Sequence, residues 1–241
     1  MKIEVLDNDA AVAERAASII AAAAREAVTT RGRFAFAVSG GRTPWAMLGL
    51  LADKQVPWAS VHLFQVDERV APTGDPDRNL THLDESFLAH APLRREQVHA
   101  MPVEASDLAA AAESYSAILQ EFCGTPLALD LVHLGLGPDG HTASLVPNDP
   151  VLEVTDRFVG VTGMYQGHRR MTLTYPALDR ARRILWVVAS ADKAEALARL
   201  SSGDRAIPAG RVRQDDAWMI ADRAAASRLG EAKPSPARPK T

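Results

Sequence analysis

The chain has 241 residues, 47% of them hydrophobic and 24% charged, with a formal net charge of −3. That length and apolar content suffice for the core of one large α/β domain, and the near-neutral charge argues against nucleic-acid or membrane partners. The single Cys123 excludes an intrachain disulfide and fits a reducing compartment.

Met1 to Asp7 has a short strand pattern containing acids, unlike the basic start of a signal peptide. A helix from about Asp9 to Thr30 follows. Its apolar run Ala16–Ala24, bounded by Arg15 and Arg25, is too short to span a bilayer and alanine-rich like a packed helix. A soluble, cytoplasmic protein is expected. A strand over Arg33–Val38, a helix over Pro44–Lys54 and a strand over Val61–Val66 come next, then a polar loop from Asp67 to Asn79. Helices near Leu80–His90 and Ser106–Phe122 flank a short extended piece at Val98–Val103, and Leu127–Leu134 reads as a buried strand. Strands near Phe158–Val161, Met171–Thr174 and Ile184–Ala189 precede a helix at Lys193–Leu200 and a strand–helix pair over Ala217–Arg228. This alternation predicts an α/β fold, a mostly parallel sheet flanked by helices, in a single domain over residues 1–228. Residues 229–241, rich in proline and charge, are expected to form a disordered tail.

Chemistry gathers at predicted strand ends, where open α/β sheets bind small molecules. The Leu127–Leu134 strand breaks into Gly135-Leu136-Gly137-Pro138-Asp139-Gly140-His141-Thr142-Ala143-Ser144, a glycine turn carrying one carboxylate and one imidazole. It contains a formal G-x-G-x-x-G. Yet the acid at dinucleotide distance, Asp156, precedes the next apolar run instead of ending it, and Pro138 interrupts the motif. Ser39-Gly40-Gly41-Arg42-Thr43-Pro44 lies between a strand and a helix, with Thr43 as the expected N-cap and Pro44 as the first helical residue. Free N–H groups, the helix dipole and Arg42 together make an anion site. It lacks the lysine of a Walker loop and the first glycine of a nucleophile elbow. Asp67-Glu68-Arg69 ends a third strand and offers groups for sugar hydroxyls or a polarised carbonyl. Arg170 precedes the Met171–Thr174 strand. Lys193 sits at a helix amino end against the macrodipole, which a nearby anion would explain. A metal site from Asp67, His133, Asp139 and His141 lacks H-x-x-x-H or paired-cysteine spacing, and His133 is expected in the core.

These motifs, with Asp192-Lys193-Ala194-Glu195-Ala196-Leu197, stand in an order and spacing that resembles the 6-phosphogluconolactonases from the first strand to about Asp222. The resemblance implies a Rossmann-like fold shared with glucosamine-6-phosphate deaminases and sugar-phosphate isomerases. It also implies hydrolysis of 6-phospho-D-glucono-1,5-lactone in the pentose phosphate pathway, with no metal or organic cofactor. The deaminases carry a glutamate where this chain has Val146, before Pro147, which favours the lactonase over a deaminase. A non-enzymatic sugar-phosphate sensor would keep the phosphate loop without needing His141. The implied roles are phosphate binding by Ser39, Gly40, Gly41, Arg42, Thr43, Lys193 and Arg169 or Arg170, with Asp67 among the substrate-binding groups. His141 is the implied general base, Asp139 orients it or binds a sugar hydroxyl, and Arg69 stabilises the oxyanion. The partner is thus a phosphorylated sugar lactone, bound by a monomer or small homo-oligomer. Two departures from the family pattern are Arg78 in place of a serine before Asn79, and the absence of a proline run before Arg170.

Overall fold

The computed structural model describes residues 1–230, so the tail expected over 229–241 lies outside the described residues from 231 onward. The chain runs β1 (Lys2–Leu6), α1 (Asp9–Arg31), β2 (Phe34–Val38), α2 (Arg42–Ala52), β3 (Val61–Gln65), β4 (Asp67–Arg69), α3 (Asn79–Leu83) and β5 (Val98–His99). It continues with α4 (Leu108–Cys123), β6 (Leu131–Leu134), β7 (Val159–Val161), β8 (Arg170–Leu173), α5 (Tyr175–Leu178), β9 (Ile184–Val188), α6 (Ala194–Ser201) and β10 (Trp218–Asp222). Among the described residues no helix is long and apolar enough to cross a membrane.

Seven strands form a parallel sheet in the order β1-β10-β9-β6-β2-β3-β5. Strand periodicity explains why both faces are covered. Phe34, Phe36 and Val38 of β2 pack with α1 and α2, while Ala35 and Ala37 face the cluster that contains Tyr115 and Leu119 of α4. Asn8 caps α1 by accepting the Ala11 N–H, and Gly32, at φ +75°, ends the helix with its N–H on Val28 O. From β2 the chain builds outward through β3 to β5, then returns to β6 and builds the other way through β9 to β10. The reversal opens a crevice between the carboxyl ends of β2 and β6, where ligands bind in such sheets.

Several expectations are corrected. The strands near Phe158–Val161 and Met171–Thr174 exist as β7 and β8 but leave the main sheet, forming an antiparallel three-stranded sheet in the order β4-β8-β7. Its third member lies in the segment expected as polar loop. Val66 is the hand-over point: its N–H bonds Val38 O of the main sheet, and its carbonyl accepts from Leu173 N. Asp67–Arg69 is therefore ordered as strand because β8 satisfies its backbone. The helix expected over Leu80–His90 is α3 followed by one π turn, Asp84–Leu88, and the last expected helix is a 3-10 turn at Ala225–Arg228.

Candidate active site

The loop after β2 is fixed from beneath by β6. Ser39 donates its N–H to His133 Nδ1 (3.3 Å) and its hydroxyl to the His133 carbonyl (3.2 Å). His133 is fully buried, and burial pushes its imidazole down to about 3, so it stays a neutral acceptor. The expected cap is displaced: α2 begins at Arg42 with Gly41, at φ +129°, as N-cap, so Thr43 is the second helical residue and makes no side-chain cap bond. The N–H groups of Arg42 and Thr43 thus lie in the first turn, where no intrahelical acceptor exists. A Cβ on Gly40 would overlap the Asn79 side chain, so glycine there lets the loop meet the segment after β4.

That segment is organised by Glu68, which is fully buried. Its carboxylate accepts from Gln65 Nε2 and the backbone N–H groups of Arg69, Asn79 and Leu80, all at 2.7 to 2.8 Å. Buried Arg78 lies 3.6 Å away and reaches Glu104 at 3.3 Å. Held in this way, Asn79 accepts from Arg69 Nη1 (2.8 Å) and donates to the Asp67 carbonyl (3.0 Å). Asp67, 5% exposed, accepts the Ser144 hydroxyl at 2.6 Å.

Strand register sets Arg69 opposite Arg170. Of the two candidate arginines, Arg170 begins β8 and is 4% exposed, whereas Arg169, just before the strand, is exposed. Burial, and then the charge of Arg69, lowers Arg170 from the ordinary arginine value, with Asp67, Tyr165 and Asp77 opposing this. The Nε of each arginine is buried without a protein partner. Two neighbouring guanidinium groups with unspent donors make a pocket suited to an anion.

On the β6 side, His141 Nδ1 lies 2.5 Å from Asp139 Oδ1, and the His141 backbone N–H also bonds that oxygen (3.2 Å). Tyr165 donates its hydroxyl to Asp139 Oδ2 at 3.0 Å. Burial pushes the Asp139 carboxyl up, but the His141 charge and the hydrogen bonds from His141 and Tyr165 outweigh it and hold the group below the usual aspartate range. An ionised Asp139 accepts a hydrogen bond from the Nδ1–H tautomer of His141, which leaves the Nε2 lone pair free. Nε2 makes no hydrogen bond among the described residues.

Beyond β9, Ser190 adopts φ +94° and donates its N–H to Asp222 and its hydroxyl to Asp192. Lys193 Nζ pairs with Asp192 at 2.9 Å, so part of the anion expected beside it is its own neighbour. The cleft encloses about 460 Å³. Ser39, Gly40, Gly41, Arg42, Thr43, Asp67, Arg69, His141, Arg170 and Lys193 all line it, whereas Asp139 stands behind His141 outside the lining. Its carboxylate meets the His141 ring and the Tyr165 hydroxyl. Sequence reasoning missed Tyr165, Ser144 and Ser190. Of these, only Tyr165 carried a signal, an aromatic residue between Gly163 and Gly167 in a short turn between strands.

The profile of the glucosamine-6-phosphate isomerases/6-phosphogluconolactonase family matches residues 7–220. A 6-phosphogluconolactonase of Nostoc sp. is 35% identical over 235 residues, covering 94% of this chain and 98% of that protein. One from Mycobacterium tuberculosis is 36% identical over 242 residues, with the same coverage of each chain. The crystal structure of a 6-phosphogluconolactonase from Shewanella baltica superposes with a TM-score of 0.81 at 26% identity, covering 92% of this chain and 97% of that one. Sequence and fold agree over nearly the whole described length, and the chain belongs to the glucosamine-6-phosphate isomerase/6-phosphogluconolactonase family.

Proposed function

We propose that the protein hydrolyses 6-phospho-D-glucono-1,5-lactone to 6-phospho-D-gluconate, the oxidative-branch step of the pentose phosphate pathway. The observation that carries this reading is the Asp139–His141 pair beside a cleft that also holds Arg69, Arg170 and a helix amino end. The loop Ser39–Gly41 and the first-turn N–H groups of Arg42 and Thr43, with Arg170 and Lys193, bind the 6-phosphate and bring the lactone carbonyl toward His141. His141 Nε2 takes a proton from water as the water oxygen adds to C1. The resulting oxyanion is met by Arg69, whose guanidinium Asn79 holds in place. Collapse breaks the bond from C1 to the ring oxygen, and His141 returns the proton to that oxygen. The product acid then ionises. Asp67, tethered by Ser144, is left to bind a sugar hydroxyl. General base action contributes about 10²- to 10⁴-fold.

Val146 favours the lactonase over the deaminase reading. It is buried beside the dyad segment and supplies no carboxyl group for ring opening. Two assays test the choice: acid release from freshly generated 6-phosphogluconolactone, and ammonia release from glucosamine 6-phosphate. The expected result is rapid lactone hydrolysis above the spontaneous rate with no ammonia. Ammonia release with lactone decay at the spontaneous rate would overturn the reading.

A further inference from the structure

Tyr165 touches both halves of the site. It sits on the hairpin between β7 and β8, whose tip at Gln166 and Gly167 has positive φ and whose arms are bridged by Tyr165 and His168. The hairpin is tied down near its tip: His168 Nε2 meets Asp77 Oδ2 at 3.0 Å, and Arg170 Nη2 donates to Gln166 Oε1 at 3.3 Å. The Tyr165 ring lies between Arg170 and His141. The Arg170 guanidinium carbon lies 5.0 Å from its centroid, within cation–π range. The His141 ring meets it edge to face at 5.6 Å. Its hydroxyl donates to Asp139 Oδ2 and lies 3.4 Å from His141 Nδ1.

We propose that Tyr165 is a positioning residue through which an anion bound at Arg170 sets the Asp139–His141 pair for proton transfer. The inference rests on the lactonase reading of the site. A carboxylate with one fixed oxygen can still rotate about its Cβ–Cγ bond. Asp139 has both oxygens fixed, Oδ1 by His141 and Oδ2 by Tyr165, so the plane in which it accepts the imidazole N–H is set by the tyrosine. The phenol is suited to this duty, since burial and the bond to Asp139 raise its pKa and keep it a donor. The same ring carries the buried arginine whose Nε has no protein partner. When a phosphate draws Arg170 toward itself, the ring that lies against the guanidinium must respond, and the hydroxyl transmits the change to Asp139. Tyr165 touches no reacting atom in this scheme; it acts through Asp139 and His141.

Tyr165→Phe keeps the ring on Arg170 and removes the hydroxyl, while Tyr165→Leu removes both. The expected result for Phe is a kcat lower by about tenfold, the value of one hydrogen bond to a charged group, with KM within twofold of wild type. Leu is expected to lose kcat to the same degree and to raise KM as well. A readout independent of turnover is the downfield proton resonance of the short Nδ1–H···Oδ1 bond between His141 and Asp139. Inorganic phosphate should shift it in the wild type, shift it less in Phe and leave it unmoved in Leu. Wild-type kcat in the Phe variant, or a phosphate-induced shift that survives in Leu, would overturn the proposal. A wild type without lactonase activity would refute the lactonase reading instead, and the resonance arm would still test the coupling.

Discussion

Gly137→Ala is the substitution that most sharply isolates geometry from chemistry in this site. It changes no group that binds or reacts, and Gly137 has no positive φ that alanine would strain. A Cβ built there falls 2.7 Å from Asp139 Oδ1 and closer still to Nδ1 and Cε1 of His141. Non-bonded heavy atoms rest at about 3.5 Å, so the imidazole has to retreat by more than about 1 Å. Misplacement on that scale costs about 10²-fold in rate, or about 2.7 kcal/mol of barrier. The backbone bonds of Gly137, to His141 O at 2.8 Å and from Gly140 N at 3.0 Å, are retained, so the fold should persist. The assay is initial-rate acid release from 6-phosphogluconolactone alongside a thermal melt. The expected outcome is a kcat lower by about 10²-fold, with KM and melting temperature near wild type. A well-folded variant with wild-type kcat would refute the reasoning, because the dyad would then tolerate displacement.

Three further outcomes are expected. Glu68→Ala leaves Arg78 and the N–H groups of Arg69, Asn79 and Leu80 without their buried acceptor, and should destabilise the protein by about 3–5 kcal/mol in urea unfolding. Asn79→Ala removes the Arg69 Nη1 acceptor and should lower kcat by about tenfold, with little change in KM, in the same lactone assay. Stability should also fall with acid. His133, at about 3 in the fold against 6.5 unfolded, binds its proton first in the unfolded chain, so stability is whole above pH 6.5 and is lost as pH falls toward 3. For this fully buried group the loss between pH 7 and pH 4.5 is about 2.5 kcal/mol. Burial pushes His99 down to about 4 and adds loss in the same direction, and urea midpoints at the two pH values measure the sum.

Much of this molecule is written locally. β2 and the Leu131–Leu134 strand are apolar runs that end in glycines, and parallel pairing brings their carboxyl ends together, so the juxtaposition of Ser39–Thr43 with His141 follows from the alternation of elements. The errors share a cause: each depends on a partner distant in sequence. Asp67–Arg69 reads as loop because its polar residues lack strand periodicity, and only β8, a hundred residues on, makes it a strand. Thr43 has a better capping side chain than Gly41, yet the close approach of Gly40 to Asn79 sets where the loop turns into helix. The contact of Tyr165 with Asp139 was illegible for the same reason, since a hydrogen bond across 26 positions leaves no trace in spacing.

The kinetic consequence of His141→Ala bears most directly on the central claim, the assignment of the proton-transferring group. Acid release from freshly generated 6-phosphogluconolactone, corrected for spontaneous hydrolysis, gives kcat and KM for both proteins. The expected result is a kcat reduced by about 10²- to 10⁴-fold with KM close to wild type, because Arg170, Lys193 and the first turn of α2 still hold the phosphate. A variant that kept its turnover and lost affinity would show that His141 binds the substrate and that another group activates the water.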